Sequence, residues 1–176
     1  MKPSTFTRIA VALAATLACL VAATGASAAG PRPQTFTFAL VSIAGIDEPV
    51  YVAAHGAIDG VGTETQSSKE IQGGELVYVT LHFAAGTLRF TAIDHNGFRL
   101  HMNTCTATTH GSGTWTVTGG TGAYAGATGG GHFTEPGTVL AQRAPDGTCR
   151  GDRTPPNQTV SYLTAKLRGV LTLPSA

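Results

Sequence analysis

From Phe36 onward the chain alternates. Phe36-Thr37-Phe38-Ala39-Leu40 sets large apolar residues on one face and smaller ones on the other. Between Leu76 and Phe83, Val77, Val79, Leu81 and Phe83 fall together, opposite Tyr78, Thr80 and His82. Leu88, Phe90 and Ala92 oppose Arg89 and Thr91, and Phe98, Leu100 and Met102 oppose Arg99 and His101. Trp115 and Val117 oppose threonines at 114, 116 and 118. Leu163, Ala165, Leu167 and Leu171 oppose Tyr162, Lys166 and Arg168. A period of two is the signature of half-buried strands, and the many threonines suit a pleated surface. No helical period lasts beyond two turns; the segment that admits a short helix is Glu64–Ile71.

The runs are separated by turn-like breaks: Ala84-Ala85-Gly86, His95-Asn96-Gly97 and His110-Gly111-Ser112-Gly113. Short strands with no helices between them predict an antiparallel meander. Such a sheet hides its edges by closing into a barrel or stacking into a sandwich. Arg143–Gln158, rich in Pro, Gly and Asp, reads as a long loop.

The chain has 176 residues, and its first 28 differ from the rest. Lys2 and Arg8 precede an apolar run from Ile9 to Ala23, followed by Ala26-Ser27-Ala28. That is the layout of a secretory signal peptide cleaved after Ala28. It leaves one exported domain over 29–176. The competing readings are a membrane anchor and a lipid-modified Cys19. The run is short of the ~20 residues a spanning helix needs, and Thr16-Leu17-Ala18 is a poor lipidation context. No later segment is long and apolar enough to span a membrane.

Without Lys2 and Arg8, nine Lys and Arg face ten Asp and Glu. That balance gives no basic excess for nucleic acid. Cys105 and Cys149 remain after the leader and, in an oxidising compartment, most simply pair, tying the long loop to a strand; the alternative is two buried free thiols.

The stretch Gly120-Thr121-Gly122-Ala123-Tyr124-Ala125 satisfies a dinucleotide fingerprint. A nucleotide site needs a helix opening at that turn, and the following Gly126, Gly129, Gly130 and Gly131 cannot sustain one. We read Gly119-Gly120-Thr121-Gly122 as a hairpin turn and Gly126 as a close-packed or bulged strand position, with the Tyr124 ring over the corner.

Thr116-Val117-Thr118-Gly119-Gly120-Thr121-Gly122-Ala123-Tyr124-Ala125-Gly126-Ala127-Thr128-Gly129 resembles the GGTG-x-[YF] stretch of the allene oxide cyclase and dirigent proteins. It resembles more closely the small secreted bacterial proteins grouped with them. Cys105-Thr106-Ala107-Thr108 and Gly113-Thr114-Trp115-Thr116 precede it in the order found in some of those. The resemblance implies an all-β, eight-stranded antiparallel barrel, often a homo-oligomer, with a cavity for an apolar small molecule. It also implies cyclase-like or dirigent-like chemistry without metal or redox cofactor. It supplies no catalytic residue that aligns here. The alternative is a non-catalytic secreted binding protein, for example an inhibitor acting through the 143–158 loop.

Candidate chemistry is sparse. The six histidines show no metal-ligand spacing. Cys105 with His110 or His101 would make a nucleophile and base, against which stands the bridge to Cys149. No serine sits in a nucleophile elbow, and the acidic residues are scattered. Tyr78, His82, Arg89, Arg99 and His101 fall on the polar faces of neighbouring strands, and are the ligand-binding candidates if those faces point inward. The simpler arrangement turns the apolar faces in and these five out.

Overall fold

The structure, a computed structural model, describes residues 30–43, 49–149 and 160–175. The leader with Cys19, and the loop beyond Cys149 as far as Thr159, lie outside the described residues. Nine strands follow in order: β1 Arg32–Ile43, β2 Val50–Gly56, β3 Gly60–Ile71, β4 Gly74–Phe83, β5 Gly86–Asp94, β6 Gly97–His101, β7 Thr106–Gly120, β8 Thr128–Leu140 and β9 Val160–Thr172. Each pairs antiparallel with its neighbours in the order β5-β4-β3-β2-β1-β9-β8-β7, and a β5–β7 pairing closes the ring. The expected eight-stranded all-β barrel is therefore the fold, with β6 as an additional strand.

β7 explains the ninth strand. One of its edges carries β8, and the other is shared end to end by β5 and β6. The register does not change across the break, since Asp94 opposes Gly113 and Gly97 opposes His110. His95 N–H still donates to the Ser112 carbonyl at 2.9 Å. β4 stops at Gly74, opposite the end of β5. The β6–β7 hairpin therefore projects beyond the barrel rim.

Two expectations are corrected here. His110-Gly111-Ser112-Gly113 is no turn but the middle of β7. A Cβ on Gly111 would lie 2.8 Å from Asp94 Oδ1, and one on Gly113 would collide with the Ile93 carbonyl. These glycines mark close approach within a strand, not its end. Glu64–Ile71 is likewise strand, paired residue by residue with β4.

The apolar faces turn inward. Phe36, Phe90 and Trp115 meet at the centre with ring centroids 5.7–6.4 Å apart. Val52, Leu81, Leu88, Leu167 and Leu171 pack around them. The end of the barrel away from β6 is plugged. Gln34, 2% exposed, accepts from Ile58 N–H at 2.8 Å and donates to the Ile58 carbonyl at 3.3 Å. Those two bonds satisfy a buried amide that would otherwise be costly.

The glycine corner sits at the same end. A bulge between Arg89 and Phe90 sets Gly119 opposite Arg89, and a short 3₁₀ turn, Gly122–Tyr124, leads toward β8. Gly122 has φ +58°, and a Cβ there would run into the Ala85 carbonyl. Tyr124 packs edge-on against Phe83, with centroids 5.8 Å apart. The corner is thus a bulge followed by a 3₁₀ turn, longer than the simple hairpin expected. Gly126 departs further from expectation: it lies in the turn after the 3₁₀ segment, at φ +84°, with open space beside its Cα.

Cys105 and Cys149 form a disulfide with Cα atoms 5.2 Å apart. It fastens the described start of the long loop to the β6–β7 hairpin. Arg143 reinforces the junction, donating to the Gly147 carbonyl at 2.7 Å and to the Asn103 carbonyl.

Candidate functional site

The half of the barrel nearer β6 is hollow, with a cavity of about 590 Å³. Phe38, Val79, Phe90, Phe133 and Leu167 form an apolar floor directly above the aromatic core. Leu40, Val50 and Leu163 make the wall from β1, β2 and β9. The opposite wall is acidic. Glu64 from β3, Glu75 from β4, Asp94 from β5 and Glu135 from β8 all line the space, with Thr109 and Gly111 of β7 between the last two.

Strand register puts these carboxylates together. Glu75 and Asp94 are direct cross-strand partners, and Glu135 opposes Gly111. Because Gly111 has no side chain, it leaves room for the side chains of Asp94 and Asn96. Beyond Thr134, β8 resumes its pairing with β9 only at Gly137, and the break falls at Glu135 and at Pro136, which has no N–H to offer.

The environment disfavours ionisation. Burial, with the Glu135 charge adding to it, pushes Glu64 up to about 7. Burial raises Glu135 as well, with the charges of Asp94 and Glu75 acting in the same sense. Asp94, 6% exposed, is raised mainly by burial; the Asn96 amide beside it works against the shift and the Glu75 charge with it. The charge of Glu135 opposes ionisation of Glu64, and that of Asp94 opposes ionisation of Glu135. Two oxygens on this wall are buried without a hydrogen-bond partner, Asp94 Oδ1 and Thr109 Oγ1. Among the described residues, no group of three or more His, Cys, Asp or Glu is close enough to hold a metal ion.

The candidates read from the sequence lie elsewhere. Tyr78, His82, Arg89, Arg99 and His101 are all exposed on the outer face, and none lines the cavity. Strand parity places Tyr78, His82 and Arg89 there, because the apolar faces they oppose turn inward; Arg99 and His101 lie on β6, where Leu100 is exposed as well. His82 hydrogen-bonds Thr65 Oγ1 at 3.1 Å. It sits opposite Thr87, whereas His101 sits opposite Thr106 on the projecting hairpin, so the two do not meet. Cys105 is committed to its disulfide and offers no free thiol.

The four carboxylates escaped sequence reading, although a signal was present. Glu75 is in phase with Val77, Val79 and Leu81, Asp94 with Leu88, Phe90 and Ala92, and Glu135 with Phe133. An acid in phase with an apolar face is an acid directed into the core. No family model, curated protein or solved structure matches the chain.

Proposed function

We propose that this protein is a receptor for one small, largely apolar molecule, held in the barrel beneath the β6–β7 hairpin. The observation that carries this reading is the cavity. Small eight-stranded barrels either fill with side chains or hold one ligand. The volume here, about 590 Å³, falls within the roughly 300–1,000 Å³ usual for ligand sites. The apolar floor supplies the driving force, and the likeness to allene oxide cyclase and dirigent barrels points the same way. Export is part of the proposal, supported by the disulfide and by the leader-like first 28 residues. Among the described residues no helix is long and apolar enough to cross a membrane.

The test fills the cavity. Wild-type protein should take up one equivalent of the neutral dye Nile red. Ala165→Trp, which places an indole in the space, should weaken uptake at least tenfold while the protein still melts cooperatively. Equal dye binding by a folded variant would remove the cavity from consideration. Native mass spectrometry of protein recovered from its own source would read both the start of the mature chain and any co-purifying ligand.

A second reading adds chemistry to binding. Glu64, titrating near 7, is poised to give or accept a proton at neutral pH, which is what a cofactor-free cyclase or isomerase requires. Slow conversion of a co-purified ligand, lost in Glu64→Gln with binding retained, would establish it. The inhibitor reading depends on a loop that lies mostly outside the described residues, and no observation favours it.

A further inference from the structure

We propose that the ligand of this cavity carries a protonated amine, seated against Asp94 and Thr109 and held by the surrounding carboxylates. The inference rests on the cavity-binding reading above and names the chemical class of the occupant.

Two independent observations converge on it. The first is charge composition. The lining draws carboxylates from β3, β4, β5 and β8, and among the described residues it contains no Lys, Arg or His. β1, β2, β7 and β9 contribute only apolar or uncharged groups there, so nothing in the lining neutralises the acids. A cavity of this kind repels anionic amphiphiles such as fatty acids. It attracts an amine, more strongly than water would allow, because the floor is apolar.

The second observation is the pair of unsatisfied acceptors. Asp94 Oδ1 and Thr109 Oγ1 are buried, line the cavity and have no donor. Buried oxygens are normally satisfied, and an ammonium brings three donors to that wall. Gly111 lies between Asp94 and Glu135, where a Cβ would lie 2.8 Å from Asp94 Oδ1 and 2.9 Å from Asn96 Oδ1, so the missing side chain is what admits Asp94 to this wall.

Burial and mutual repulsion raise Glu64 to about 7 and shift Glu135 and Asp94 in the same direction. A bound cation reverses both effects, so amine binding draws protons off the cluster and tightens as pH rises.

The experiment uses calorimetric titration of the mature secreted protein with three probes of one chain length: n-octylamine, n-octanol and octanoate. At pH 8 the amine should bind at least tenfold more tightly than the alcohol, and octanoate more weakly than either. Lowering the pH from 8 to 5 should weaken the amine at least tenfold and leave the alcohol unchanged. The amine stays cationic throughout, since alkylammonium groups titrate at about 10, so the change reports on the protein. Asp94→Asn with Glu64→Gln should bring the amine down to the affinity of the alcohol. If that double variant does not fold, the wild-type pH series decides alone. Equal affinities for amine and alcohol at pH 8, tighter octanoate, or a folded double variant that keeps its preference would overturn the amine assignment and leave the cavity reading standing. Failure of all three probes together with Nile red would overturn the cavity reading and the amine assignment with it.

Discussion

Glu64 illustrates what a single residue contributes at the cavity wall. Its carboxyl is raised from 4.5 to about 7 in the folded protein, mainly by burial. A group whose folded pKa lies above its unfolded value favours the folded state while protonated. That contribution is complete below about pH 4.5 and is lost as the pH rises through 7. Glu135 and Asp94 shift in the same direction and add to the trend. The unliganded protein should therefore melt at a higher temperature at pH 5.5 than at pH 8. Glu64→Gln should flatten that dependence and raise stability at pH 8 by about 1–2 kcal/mol, a figure reduced for residual solvent screening. Thermal melts of both proteins at the two pH values check this. A wild type more stable at pH 8 would contradict the assignment.

At the scale of single elements, the glycine corner distinguishes two reasons for a glycine. Gly122 is required twice over, by its φ of +58° and by the Ala85 carbonyl that a Cβ would strike. Gly126 is required only by its φ of +84°, because the space beside it is open. Gly122→Val should thus cost well over 1 kcal/mol, and Gly126→Asn, a residue that tolerates the left-handed region, clearly less than 1. Urea unfolding of the two variants measures the difference, and equal losses would mean that the carbonyl contact is unimportant. Elements also decided what was legible in the sequence. β1, β4, β5 and β9 could be read because each has one plainly apolar face. β7 was divided at Gly111 and Gly113, since glycines usually punctuate strands, whereas here they make room for Asp94 and the Ile93 carbonyl. β3 lacked a strand signal because Glu64, Gln66 and Ser68 face a polar-walled cavity instead of the core. The site was missed for the same reason: polar candidates were sought on polar faces, while the acids sat in phase with Leu81 and Phe90.

The whole molecule has two unlike ends. One is packed around Gln34, Ile58 and Tyr124, and the other is hollow and carries the projecting hairpin with the disulfide. The Cys105–Cys149 bridge spans 44 residues, for which loop-closure entropy sets a ceiling of about 4 kcal/mol. Cys105→Ser with Cys149→Ser should lower stability by up to that amount while keeping a cooperative barrel, because neither cysteine belongs to the aromatic core. Circular dichroism melts read the outcome, and an unchanged melting temperature would show that the tether has no part in stability.

Trp115 has a use that its packing role does not suggest. It is the only tryptophan in the chain, it is buried, and its indole N–H has no partner. It touches Phe90, whose ring also forms part of the cavity floor. The molecule thus carries a single indole fluorophore one side chain away from the cavity, in surroundings that shift indole emission to short wavelength. Occupancy of the cavity is open to optical measurement without a label, and the signal comes from one identified residue.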